Sequence, residues 1–185
     1  DILQALMAEI PLHKKQRLLL KSINKKQDYT CVSIHYMKQI AMFPSIYVCA
    51  VFETLFPDSV FFEYNGSLLG LIPIDPAKKQ EDHGQYIIDA MAVYAREMQL
   101  CVGISNPFND LYMMRPFYLQ AEAAIENGSI CRPKQNFYRF SEFALMELVT
   151  NSTGNLPIEA YYPKGLREII LHVNKQRGKQ MRPMM

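Results

Sequence analysis

The sequence predicts an α+β fold with the element order β-α-β-β-α-β, followed by one more helix and one more strand. Three observations carry this reading. Tyr29–Tyr36 alternates Cys31, Ser33 and His35 with Val32, Ile34 and Tyr36, the period of a strand. The runs Ser59–Tyr64 and Ser67–Ile74 are rich in β-formers and are separated by Asn65-Gly66, two residues that tolerate positive φ and so mark a hairpin. Between Asp82 and Met98 the residues Ile87, Ile88, Met91, Tyr94, Ala95 and Met98 recur at helical spacing.

The remaining elements follow in order. Residues 1–23 place Ile2, Leu3, Leu6, Ile10, Leu18, Leu19 and Ile23 at helical spacing, interrupted by Pro11. Pro44 opens a helix that Ile46, Val48, Val51, Phe52 and Leu55 carry to a stop at Phe56-Pro57-Asp58. Leu100–Ser105 reads as a short buried strand ending at Asn106-Pro107. Asn109 is the expected cap of the next helix, which Ala121, Ala123, Ala124 and Ile125 carry to a stop at Asn127-Gly128. Pro116 implies a kink there, or a helix that begins at it. Asn136–Phe140 is the last strand, and Ser141 is the expected cap of a helix through Val149. A linker over Thr150–Pro157 and an amphipathic helix over Lys164–Gln180 complete the chain. The order is that of a ferredoxin-like βαββαβ core, expected as an antiparallel sheet with helices on one face. It gives three segments: a linker helix over 1–26, a domain over 27–149, and a linker with helix over 150–185.

Composition excludes several classes of function. In 185 residues, 49% are apolar and 21% charged, which suits a folded domain and not a disordered one. The charge-free stretch Ile40–Phe52 contains Pro44 and is shorter than the roughly 20 residues of a membrane-spanning helix, so no membrane partner is expected. The net charge of +2 hides a segregation. Residues 1–26 hold six basic and two acidic side chains, and residues 164–185 hold six and one. The body between them holds eight basic against fifteen acidic, a poor footprint for nucleic acid. Cys31, Cys49, Cys101 and Cys131 form no CxxC pair and sit mostly in apolar runs, as buried, reduced thiols of a cytoplasmic protein would. The sequons at Asn65, Asn127 and Asn151 point the other way, towards secretion, but such triplets arise readily by chance.

Catalytic constellations are missing. Gly66-Ser67-Leu68-Leu69-Gly70 is hairpin chemistry and not a nucleophile elbow. His13, His35, His83 and His172 share no ligand spacing with one another or with a cysteine. Asp75, Glu81 and Asp82 flank a loop and could hold a cation, but acids before a helix more often favour its positive end.

From Asp28 to about Phe143 the chain resembles the GGDEF-like domain of PucR/CdaR-type bacterial transcriptional regulators. Two stretches carry the resemblance: Val102-Gly103-Ile104-Ser105-Asn106-Pro107-Phe108, then Phe117-Tyr118-Leu119-Gln120-Ala121-Glu122-Ala123-Ala124-Ile125. Gly103, Ser105, Tyr118, Gln120, Ala121 and Ala124 match the family element, while Phe117 stands where the family usually has serine. Tyr162–Ile169 is similar to the segment that leads to the family's helix-turn-helix. The resemblance also implies a palm like that of the nucleotide cyclases, whose active members hold metal ions on acids of the hairpin turn. Here that turn reads Asn65-Gly66-Ser67-Leu68, and Ile34–Phe52, around the end of the first strand, contains no acid. The expectation is a domain without catalytic residues, metal ligands or cofactor. It would pair as a homodimer and reach DNA only through a helix-turn-helix beyond Met185. The alternative is a module that binds a small effector at Asn65, Gly66 and Ser67; a nucleotide cyclase ranks last.

Overall fold

The computed structural model describes residues 2–23, 27–37, 43–75 and 82–152. Two compact units divide the chain, residues 1–144 and 145–185. Of the second, the described part is the end of one helix; the expected helix over 164–180 and the segment Tyr162–Ile169 lie outside the described residues.

The described residues of the first unit form a mixed α+β domain. Helices α1 (Ile2–Met7) and α2 (Lys14–Ile23) replace the single interrupted helix. Strand β1 (Tyr29–Tyr36) and helix α3 (Ser45–Leu55) follow, with Pro44 in extended conformation at the helix entrance. Strands β2 (Val60–Tyr64) and β3 (Ser67–Pro73) form the expected hairpin, with Tyr64 opposite Ser67. Helix α4 (His83–Glu97) starts where the Asp82 side chain accepts from the Gln85 backbone N–H, which meets one of the helix's unpaired donors. Strand β4 (Leu100–Ile104), a 3-10 turn (Leu111–Met113), helix α5 (Met114–Cys131), strand β5 (Phe137–Arg139) and helix α6 (Phe140–Ser152) complete the described residues.

Four boundaries differ from the sequence reading, at the two ends of α5 and the two ends of α6. The cap before α5 is Asp110, which accepts from Tyr112 and starts the 3-10 turn, and not Asn109. Pro116 is the third residue of α5, where the backbone N–H has no helical partner to lose, so it neither kinks nor opens the helix. Asn127-Gly128 does not stop α5, because the Asn127 amide donates back to the Ala123 carbonyl at 2.9 Å and Gly128 lies under the Tyr138 ring. Helix α6 begins at Phe140 without using Ser141 as its cap, and it runs through Thr150–Ser152, where a linker was expected.

The sheet order is β2-β3-β1-β4-β5. The first three pairings are antiparallel, but β4 and β5 are parallel, so the sheet is mixed and not wholly antiparallel. The parallel pair follows from chain length: the eighteen residues of α5 cross over between its two strands.

The expectation of helices on one face is also corrected. On one side Val32, Ile34, Leu68, Ile72, Val102 and Ile104 pack against α3 and α4 through Phe52, Ile87 and Met91. On the other, Cys31, Leu69 and Leu71 pack with Met7, Leu20, Met114 and Tyr118 from α1, α2 and α5. Six consecutive residues of β1, Tyr29 to Ile34, are buried, which a strand achieves only when both its faces are covered. The stripe Ile2, Leu3, Leu6 is spent in this second core, whereas Ile10, Leu18 and Leu19 remain exposed. Among the cysteines only Cys31 is buried; Cys49 and Cys101 are half-buried and Cys131 is exposed at the end of α5, contrary to the expectation of buried thiols.

Candidate functional site

Asn65 and Gly66 have φ of 50° and 80° and make the two-residue turn that the twist of a hairpin favours. A Cβ on Gly66 would meet nothing within 4 Å, so the turn stands clear of the body. Ser67 donates to the Tyr64 carbonyl at 3.0 Å, closing the turn internally. A hollow lined by Gln4, Ala8, Gln16, Glu63, Tyr64 and Asn65 lies beside it. Glu63, exposed on β2, is the acid nearest in sequence to the turn. Two phosphate-bridging cations need several oxygen ligands, and one exposed carboxylate does not supply them.

Behind the turn, on the α5 side of the sheet, lies a polar cluster that no local pattern in the sequence announced. Ser33 and His35 project from β1, Ser67 from β3, and Tyr118 and Glu122 from α5. The Ser33 hydroxyl donates to Glu122 Oε1, and His35 Nε2 lies 2.9 Å from the same oxygen. Tyr118 lies beside Glu122 and Ser67, and its ring meets Tyr64 edge-on at 5.4 Å. Burial alone would raise the Glu122 pKa, but the bonds from His35 and Ser33 outweigh it and hold the carboxyl below its usual range. His35 and Glu122 are 87 positions apart, so only the docking of α5 on β1 brings them together. The arrangement is a carboxylate with one oxygen engaged by both Ser33 and His35, suited to fixing the helix on the sheet rather than to accepting a substrate proton.

The cluster makes an acid-side prediction. A carboxyl whose folded pKa is depressed adds stability above its unfolded value of about 4.5, and this is lost as pH falls through the folded value. Glu122→Gln should therefore lower the unfolding free energy by about 1–3 kcal/mol at pH 7. The difference from the parent should shrink steadily between about pH 5 and pH 3. Urea titrations of both proteins across that range would show it, and a difference that stays constant down to pH 3 would refute it.

The matched element Gly103, Ser105, Tyr118, Gln120, Ala121 and Ala124 is a docking device. Ala121 and Ala124 are fully buried, and a Cβ on Gly103 would lie 1.9 Å from the Ala121 carbonyl oxygen, so β4 and α5 touch backbone to backbone. Ser105 Oγ accepts from the Cys31 N–H at 2.9 Å and donates to the Asn106 carbonyl at 2.8 Å. Gln120 Oε1 accepts from the Asn106 N–H at 3.1 Å, tying the loop after β4 to α5. Phe117 stacks on Phe108 with centroids 4.4 Å apart.

At the far end of the β1–β3 ladder, a hollow of about 330 Å³ opens beneath the start of α4, lined by Thr30, Ile74, His83, Ser105, Pro107 and Arg139 among others. Arg139 pairs with Asp82 at 2.8 Å on its rim. Sequence reasoning passed over Thr30 as an ordinary strand residue. Among the described residues no group of three His, Cys, Asp or Glu side chains is placed to hold a metal ion, and no helix is long and apolar enough to cross a membrane.

A search of curated proteins returned no match to this sequence. The family model of the GGDEF-like domain matches residues 17–126, which run from α2 into α5 and include the hairpin, the polar cluster and the β4–α5 contact. That match spans more than half of the chain, which therefore belongs to the GGDEF-like domain family.

Proposed function

We propose that this chain is a non-catalytic regulatory domain of a PucR/CdaR-type transcriptional regulator, working in the cytoplasm and passing a signal to a DNA-reading helix-turn-helix outside residues 1–185. The observation that supports this most is the hairpin turn. It is a two-residue turn at Asn65-Gly66 that carries Ser67 and Leu68 where, by the resemblance, the catalytic members carry acids, and Ser67 is turned back onto Tyr64. The strand order and the antiparallel pairings of β1 to β4 favour the ferredoxin-like core as the finer description of the fold. The fold alone does not decide activity; the residues on the turn argue against it. Regulators that read paired half-sites need two-fold pairing, and a homodimer is part of this proposal.

The test has two arms. With GTP and magnesium or manganese, the protein should form no cyclic dinucleotide by chromatography, and any product from a clean preparation would overturn the non-catalytic reading. With labelled duplex DNA, anisotropy should show weak binding without sequence preference that collapses on adding salt. Selective, salt-tolerant binding would place the DNA-reading element inside this chain and defeat the proposal.

A further inference from the structure

We propose that the hollow beneath the N-terminus of α4 binds a small uncharged molecule that carries hydroxyl or amide groups on one edge and carbon on the other. This site is distinct from the hairpin turn: Thr30 pairs with Ile72, whereas Ile34 pairs with Leu68 at the turn end of the same ladder. The inference is also independent of the regulator reading.

Two polar atoms carry it. Thr30 is 1% exposed, lines the hollow, and its Oγ1 is buried without a hydrogen-bond partner among the described residues. His83, on the first turn of α4, lines the same hollow, and its Nε2 is likewise buried and unpartnered there. Native proteins leave few buried polar atoms unpaired, and two on residues that line one hollow mark a place where a ligand's own donors and acceptors complete the bonding once these side chains turn towards it. Ile74, Ile104 and Pro107 supply an apolar wall for the carbon side. The volume of about 330 Å³ is at the lower end for small-molecule sites.

Charge selects the class of ligand. The arginine among the described lining residues, Arg139, is held by Asp82 through contacts of 2.8 and 2.9 Å, and Asp28 adds a second acid. Asp82 also occupies the Gln85 N–H at the helix start, so the helix terminus is not left open to an anion. Burial holds the His83 pKa below its usual range, although Asp82 pulls the other way, so its ring meets the ligand as a neutral imidazole. Stacking on Tyr86, at 5.8 Å between centroids, orients that ring. A hydroxyl and a neutral imidazole each offer a donor or an acceptor, which suits a sugar, a nucleoside or a carboxamide better than an ion.

The test uses the full chain, isotope-labelled, titrated separately with D-glucose, uridine and nicotinamide, and with phosphate and putrescine as charged controls. At least one uncharged probe should give saturable amide shifts centred on Thr30, Gly84 and Ser105. Thr30→Val keeps the side-chain shape and removes the unpaired hydroxyl. It should weaken that binding about tenfold while melting no lower than the parent. His83→Phe keeps the stacking ring and should weaken binding similarly, which preserves the test if Thr30→Val folds badly. The proposal fails if none of the three probes shifts these amides by about 50 mM, well above a millimolar dissociation constant. It fails equally if phosphate or putrescine binds more tightly, or if both variants bind as the parent does.

Discussion

Gly103→Ala should destabilise the protein by about 3 kcal/mol, a drop of roughly 6–12 °C in melting temperature for a chain of this size. The added Cβ would lie 1.9 Å from the Ala121 carbonyl oxygen and 2.9 Å from Ile125 Cγ1. The first of these is backbone inside a helix and cannot swing aside. Relief requires α5 to rise off β4, and α5 also holds Met114, Tyr118 and Glu122 against β1 and β3. Gly66→Ala is the contrasting case. Its Cβ meets nothing, and only the φ of 80° resists it, so a cost of about 1 kcal/mol is expected. Chemical denaturation of both variants checks the ranking. Equal midpoints would mean that the helix and sheet are not in backbone contact.

The difference between these glycines also separates what could be read in the sequence from what could not. Asn65-Gly66 is a local signal: two residues, each tolerant of positive φ, between two β-rich runs, and the turn formed there depends on little else. Asp82 is equally local, since a carboxylate ahead of an apolar stripe meets a helix's own unpaired N–H groups. Asn127-Gly128 carries the same kind of stop signal and fails, because the ring of Tyr138, ten positions further on, rewards Gly128 for staying helical. Which face α5 covers was not legible either. The alternation in β1 sets Val32 and Ile34 on one side against Cys31, Ser33 and His35 on the other, and periodicity does not say that a later helix will cover the more polar of them.

The candidate sites divide along the same line. The missing acids of the turn could be seen in the sequence, because Ser67 and Leu68 are single letters at fixed offsets from Gly66. The Ser33–His35–Glu122 cluster joins β1 to a helix nearly ninety residues later, and nothing in either stretch names the other. Thr30 is unremarkable in a strand until the structure shows that its neighbours leave its hydroxyl without a partner among the described residues.

Removing residues 1–23 should abolish cooperative folding of the first unit. Met7 and Leu20 are 0% and 1% exposed, and Leu12 is buried beside them. Truncation of one such side chain typically costs about 2–5 kcal/mol, so losing all three rivals the 5–15 kcal/mol by which a domain is usually stable. Polar ties would go as well: the Tyr64 hydroxyl donates to the Met7 carbonyl at 3.1 Å, and Arg115 pairs with Glu9 at 2.7 Å. That ion pair is exposed and contributes little, so the apolar loss decides the outcome. Deletion would open the α5 side of the sheet at Cys31, Leu69 and Leu71, an apolar surface of the kind that drives association. The truncated chain should keep much of its far-ultraviolet dichroism, lose its near-ultraviolet signal, bind a hydrophobic dye and elute as larger species. A sharp thermal transition within about 5 °C of the parent, with monomeric elution, would show that α1 and α2 are dispensable to the core.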